Sequence, residues 1–173
     1  MIFLRHPITA AGPDVCYGQL DIELGEDAEQ QIAGALSAIG PVHAIHSSDL
    51  TRCRTVAERF AARDQVNPTY DARLREYHFG EWEGQSWSEI PRVESDPWTE
   101  DLWGIAPPGG ETFAALHARV GQVLNDIPEG ALVVAHAGVI RAARMILTGV
   151  SFETVFAEKV PFCQPITFTS RAA

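Results

Sequence analysis

Short apolar runs alternate along this chain with longer stretches in which apolar residues return every three or four positions. Ile2-Phe3-Leu4 opens it as a buried strand that carries Arg5-His6 at its carboxyl end, ahead of Pro7 and Thr9. Ile32, Leu36 and Ile39 mark one face of a helix predicted over 26–39, stopped by Gly40-Pro41. Val42 to Ser47 reads as the next strand. Asp49 then caps a helix running to about Arg63, with Leu50, Cys53, Val56, Ala57 and Phe60 inward. Phe113, Leu116, Val120, Leu124 and Ile127 set a helix over 111–127. A second wholly apolar strand follows at 131–135, then a helix near 139–148 that ends at Gly149. Pro165 to Ser170 predicts a late edge strand, a place where proline is tolerated. Strands alternating with amphipathic helices predict an α/β fold: a three-layer sandwich with a mostly parallel central sheet flanked by helices.

The stretch 77–110 breaks this rhythm. It holds all four tryptophans (Trp82, Trp87, Trp98, Trp103), together with Pro91, Pro97, Pro107 and Pro108. One reading is an insertion that covers the mouth of a site, as loop-built lids do. The other is a long surface excursion that the indole rings pin to the core. The chain of 173 residues otherwise predicts a single domain, 1–173, large enough to bury a core.

Both apolar strands end in histidine. Ala131-Leu132-Val133-Val134-Ala135 runs into His136-Ala137-Gly138, as the first strand runs into Arg5-His6. In open α/β sheets ligands bind outside the carboxyl ends of the strands. Two histidines at two strand tips therefore suggest one shared pocket, with an imidazole beside a guanidinium ready to meet a phosphoryl group.

Charge narrows the choice of partner. Thirteen basic against 23 acidic residues leave a formal net charge of −10, which argues against nucleic acid. Lys159 is the only lysine, so arginines must supply almost any local positive field. Cys16, Cys53 and Cys163 are odd in number and widely spaced, as for reduced thiols in the cytoplasm. No apolar stretch is long enough for a membrane span, and a cleaved leader is not expected because it would remove Arg5-His6. His43 and His46, three apart in a strand, would face opposite sides, and no metal site or cofactor is expected.

Four motifs in order carry a family resemblance. They are Leu-Arg-His-Pro-x-Thr at 4–9, Ser-Ser-Asp-Leu-Thr-Arg-Cys at 47–53, Leu-Arg-Glu-Tyr-His-Phe-Gly-Glu-Trp-Glu-Gly at 74–84, and Val-Val-Ala-His-Ala-Gly-Val-Ile-Arg at 133–141. Pro107-Pro108-Gly109-Gly110-Glu111-Thr112 adds a segment common in the phosphatase branch. The chain resembles the histidine phosphatase superfamily, with a phosphoglycerate mutase-like fold. The resemblance implies a metal-independent phosphomonoesterase in which His6 is the nucleophile and Glu76 the proton donor. Arg5, Arg52 and His136 would bind the substrate phosphate. It departs from the family pattern at Pro7 and Ala137, where glycine is usual. Arg54, Arg59 and Arg63 read as a solvated helix face, and Glu81 and Glu83 are rivals to Glu76. His78 and His117 read as structural or exposed, and Arg75 and Arg141 as ordinary salt-bridging residues first and as residues that orient groups of the site second. Val15-Cys16-Tyr17-Gly18-Gln19-Leu20-Asp21 resembles the Cys-Tyr-Gly-x-x-Asp of α-ribazole phosphatases, which makes α-ribazole 5′-phosphate of cobalamin assembly the first named substrate. The alternatives are a mutase-type phosphotransferase, less expected because resembling mutases are longer, and a non-catalytic phosphate-binding module. A small phosphate ester is the expected partner in a cytoplasmic protein, with a homodimer left open.

Overall fold

Two central strands explain most of the architecture. In a computed structural model, which describes residues 1–168, β1 (Ile2–Arg5) pairs in parallel with β4 (Leu132–Ala135), Phe3 opposite Val133. Parallel strands are covered on both faces and so read as unbroken apolar runs; all four residues of β4 are buried. β2 (Ile45–Ser47) joins the other side of β4 in parallel, β3 (Thr69–Tyr70) extends β2, and antiparallel β5 (Pro165–Thr167) closes the edge beside β1. The order is β3-β2-β4-β1-β5.

Side chains alternate across this sheet and define two cores. Phe3, Val133 and Ala135 pack with α4 (Phe113–Leu124) and α5 (Ala137–Thr148) on one face. Leu4, Leu132 and Val134 pack with α1 (Ala28–Ala38) and α2 (Thr51–Asp64) on the other. Each such aliphatic or Phe side chain contributes about 1.5–3 kcal/mol by leaving water. The result is the expected three-layer α/β sandwich.

Several boundaries differ from the sequence expectation. α1 ends before Gly40 because Ile39 is already extended. Only Ile45–Ser47 of the 42–47 stretch pairs as strand, since the Val42 N–H donates instead to Asp64 Oδ2 at 3.0 Å. Asp49 does not cap α2: its carboxylate takes two bonds from Arg75, at 2.7 and 2.6 Å, and Leu50 precedes the helix without a side-chain cap. α5 begins two residues earlier than predicted, at Ala137, and stops as expected at Gly149 with φ +70°. Positions 169–170 of the predicted edge strand lie outside the described residues. One strand and two α-helices were not predicted: β3, α6 (Phe152–Ala157, capped by Ser151), and α3 (Arg92–Glu100) inside the tryptophan-rich stretch.

In that stretch Trp82 is buried, edge-on to Trp98, and donates from Nε1 to Glu94 Oε2 at 2.9 Å. Trp98 donates to the Tyr77 hydroxyl at 3.2 Å, and Trp103 packs on Phe113 and Phe152. Phe79 and Trp87 instead reach the wall of a cavity at the carboxyl ends of the strands. No helix among the described residues is long and apolar enough to cross a membrane.

Candidate active site

Parallel pairing of β1 and β4 brings the two strand-end histidines together. The His6 N–H continues the ladder to Ala135 O at 3.0 Å, and the His6 and His136 ring centroids stand 5.1 Å apart. His6 is almost fully buried. Its Nδ1 lies 2.7 Å from the Pro7 carbonyl, and a carbonyl only accepts, so the proton sits on Nδ1 and the Nε2 lone pair is free. Proline at position 7 keeps the one group the ring needs, its C=O. Burial, with the Arg52 and Arg5 charges behind it, holds His6 well below the ordinary histidine pKa. A neutral imidazole with a bare Nε2 is the form a nucleophile requires.

The two arginines expected at the phosphate differ in placement. Arg5 is in the cavity wall, its guanidinium 3.7 Å from the Phe162 ring centroid and its Nη1 donating to Val160 O at 2.8 Å. Its buried Nε has no partner among the described residues. Arg52, in the first turn of α2, is wholly buried and is not part of the wall. Its guanidinium donates to Leu20 O at 2.7 Å, Gly18 O at 2.5 Å and His136 Nδ1 at 3.3 Å, leaving two of its five N–H groups unused. His136 is buried with it: Nδ1 accepts from Arg52, and the Nε2–H donates to Ser48 Oγ at 2.9 Å. Burial and the Arg52 charge keep this ring neutral too. The expected direct grip by Arg52 and His136 is thus not preformed, because the 18–20 loop and Ser48 take up their polar atoms.

Glu76 is on the cavity wall and turns toward α5. Its Oε1 accepts from the Gly138 N–H at 3.0 Å and from the Tyr77 N–H at 2.9 Å. Glycine at 138 leaves the Glu76 carboxylate its place, since a Cβ there would stand 2.5 Å from Glu76 Oε1. Ala137, by contrast, is an ordinary first residue of the helix, so its methyl is accommodated. Arg119, which sequence reasoning missed, fixes the Glu76 segment. It donates to the carbonyls of Arg73, Arg75 and Glu76 at 2.7–2.9 Å while paired with Glu111 at 2.6 Å. Nothing local marks this role of Arg119, because the carbonyls it holds lie more than 40 residues away.

The cavity has a volume of about 620 Å³ and includes Arg5, His6, Glu76, Arg141 and Lys159. Arg141 was expected in a salt bridge. It has no carboxylate partner among the described residues and lies in the wall, donating to the carbonyls of Val155 and Glu158. Its place five residues after His136 in the fourth motif was the available signal. The rival groups sit elsewhere. Arg54, Arg59 and Arg63 pair with Glu58, Glu29 and Asp64, and Arg75 pairs with Asp49. The Glu83 carboxylate accepts from the N–H groups of Gln19, Leu20 and Phe79, holding the loop, while Glu81 is exposed. His117 packs beside Trp103 and His78 is exposed at its side chain. The three cysteines are buried free thiols, and burial pushes the thiol pKa of Cys16 and Cys163 up to about 12. No metal-holding group of three His, Cys, Asp or Glu occurs among the described residues.

The pattern describing the histidine phosphatase superfamily (branch 1) matches residues 1–169. Glucosyl-3-phosphoglycerate phosphatase of Mycobacterium tuberculosis is 35% identical over 144 residues, which cover 72% of this chain. The chain spans only 64% of that relative's length. A solved mycobacterial glucosyl-3-phosphoglycerate phosphatase in complex with VO3 superposes with a TM-score of 0.75 at 31% identity, covering 91% of this chain and 85% of the other. The α-ribazole phosphatase of Shigella flexneri superposes more fully, with a TM-score of 0.86 over 95% of this chain and 87% of the other, but at 22% identity. That is a likeness of fold. With two strand-tip histidines side by side and a family match over nearly every residue, the chain belongs to the histidine phosphatase superfamily.

Proposed function

We propose that this protein is a phosphomonoesterase working through phospho-His6. The observation that carries the reading is the free Nε2 of a neutral His6, in a cavity wall shared with Arg5. In the first step Nε2 bonds to phosphorus in line as the ester P–O bond breaks, and a proton from Glu76 goes to the departing oxygen. In the second, the Glu76 carboxylate takes a proton from water, the water oxygen attacks phosphorus, and the P–N bond breaks to release phosphate and neutral His6. Arg5 faces the spreading equatorial charge directly. Arg52 joins it when the dianion displaces the Gly18 and Leu20 carbonyls, and His136 when it displaces Ser48 Oγ from the Nε2–H, since charge-assisted bonds are roughly twice as strong as neutral ones. These guanidinium groups supply the positive charge, so a chelator is expected to leave turnover unchanged.

For the substrate, the sequence points to α-ribazole 5′-phosphate through Cys16-Tyr17-Gly18. Tyr17 and Gly18 are in the cavity wall, whereas Cys16 packs in a small core with Trp82 and Ile90. The name of the mycobacterial relative supports a phosphorylated sugar acid instead. Phe79 and Trp87 support the reading of 77–110 as a segment that shapes substrate choice, and three free thiols support a reducing, cytoplasmic setting.

The test is rapid quenching after mixing with a labelled phosphate ester. The wild type is expected to give an acid-labile, base-stable phosphoprotein that His6→Ala lacks. Turnover without any such labelling would overturn the reading.

A further inference from the structure

A second cavity meets the first at Glu76, Phe79 and Arg141, which line both. Its volume is about 320 Å³, and two groups of aromatic rings form most of its wall. Tyr77, Phe79 and Trp98 come from the tryptophan-rich stretch; the Tyr77 and Phe79 ring centroids are 4.8 Å apart, and Trp98 Nε1 donates to the Tyr77 hydroxyl. Phe113 of α4 and Phe156 of α6 stand 5.2 Å apart, and Leu102 adds to the lining. Protein interiors pack as closely as organic crystals, with few voids larger than a water molecule. An apolar space of about 150 Å³ is enough to take up a benzene ring. Packing alone therefore gives no reason for an aromatic-walled space about twice that size, with each group of rings braced by its own contacts.

We propose that the leaving alcohol carries an apolar portion, an alkyl chain or an aromatic ring within a few bonds of the ester oxygen, and that this second cavity holds it. The inference rests on the hydrolase reading and adds the substrate class. Its geometry begins at Glu76. The proton donor must touch the oxygen that departs, so whatever is bonded to that oxygen starts beside Glu76. The second cavity starts there too, and Gly138, whose N–H holds the Glu76 carboxylate, lines it as well. That continuity names the occupant: the carbon skeleton of the substrate, with its phosphate at His6 and Arg5 in the first cavity. The polar atoms along the wall are few and engaged. The Tyr77 hydroxyl accepts from Trp98, and Arg141 donates to the Val155 and Glu158 carbonyls. A sugar placed there would give up water and leave hydroxyls unpaired against carbon, which is costly. An alkyl or aryl group gains by leaving water and adds ring contacts. It would also cover the half-buried rings of Phe79, Trp98 and Phe156. Substrate choice then resides in rings that the 77–110 stretch, α4 and α6 bring to one place.

The test compares ethyl phosphate with 3-phenylpropyl phosphate, whose alkoxides are of similar basicity, so that the chemical step is matched. Wild-type kcat/KM is expected to be about tenfold or more higher for the phenylpropyl ester. Glucose 6-phosphate, of comparable bulk but covered in hydroxyls, is expected to gain no such advantage over ethyl phosphate. Calorimetry on His6→Ala, which cannot turn the esters over, is expected to rank their binding in the same order. Leu102→Trp narrows the second cavity, and Phe156→Leu takes a ring from its wall. Each is expected to shrink the phenylpropyl-to-ethyl ratio toward one, with folding checked by circular dichroism. Equal kcat/KM for the phenylpropyl and ethyl esters, an equal gain for glucose 6-phosphate, or a preference that survives both substitutions overturns the apolar site. Phospho-His6 labelling with p-nitrophenyl phosphate is scored separately, so its failure counts against the hydrolase reading and a missing apolar preference against this one.

Discussion

Gly138→Ala isolates the position of Glu76 from its chemistry. The added Cβ would stand 2.5 Å from Glu76 Oε1 and 3.2 Å from Leu116 Cδ2, the first about 1 Å short of ordinary contact. Backbone strain does not enter, because Gly138 is the second residue of α5 and does not adopt a positive φ. Alanine is the better helix former by up to about 1 kcal/mol, which offsets the crowding at Leu116. The cheapest relief is for the carboxylate, the free end of a side chain, to swing away from the Gly138 N–H it now accepts from at 3.0 Å. Melting temperature is therefore expected to stay close to wild type while catalysis suffers. A displacement of about 1 Å in a reacting group costs on the order of 100-fold. That loss should appear with an alkyl phosphate, whose alkoxide needs a proton, far more than in the burst with p-nitrophenyl phosphate, whose phenolate departs unaided. Glu76→Gln, which cannot donate a carboxylic proton, should show the same split. The assay is stopped-flow burst kinetics on both esters beside thermal unfolding. A stable Gly138→Ala protein that cleaves both esters at wild-type rates, or loses both by one factor, would refute Glu76 as the proton donor.

Two further expectations rest on the buried cations and rings. Arg52→Lys keeps a charge but not the fork, and kcat/KM is expected to fall by on the order of 100-fold, whereas Arg54→Ala, at an exposed helix position paired with Glu58, should change it little; comparable losses in both would show that the second motif was read in the wrong register. His6 and His136 are both held neutral in the folded protein and regain an ordinary pKa near 6.5 when unfolded, so the unfolded chain binds more protons below that pH. Their contribution to stability is complete above about 6.5 and drains as pH falls, at roughly 3 kcal/mol per pH unit for the pair. Urea unfolding between pH 6.5 and 5 should show this slope reduced by about half in His6→Asn, and an unchanged slope would mean that His6 is already charged in the fold.

Much of the architecture was readable from local pattern. β1, β4, α1, α2, α4 and α5 each carry a periodic apolar face long enough to register, and each forms within a few residues of its expected place. The missed elements are the short ones. Two residues of β3 and six of α6 cannot establish a period, and α3 carries Pro97 and buries no residue fully. Asp49 shows how a local rule loses to a distant competitor. It stands where a helix cap belongs, but a two-pronged bond to Arg75, 26 residues away, takes the carboxylate.

Local pattern alone puts Arg5-His6 and His136 at the carboxyl ends of buried strands, because strand, helix face and stop signals are written in neighbouring residues. It also determined that Glu76 and Arg52 belong to recognisable motifs. What those groups can do depends on contacts between distant segments. Pairing of β1 with β4 set the two imidazoles 5.1 Å apart, and the Pro7 carbonyl with the surrounding burial left His6 neutral with its Nε2 free. Folding withdrew Arg52 into the protein and brought Arg141 and Lys159 to the cavity without an ion pair among the described residues. Proton affinity and charge balance depend on which distant groups exclude water from one another, and no local stretch of sequence contains that information.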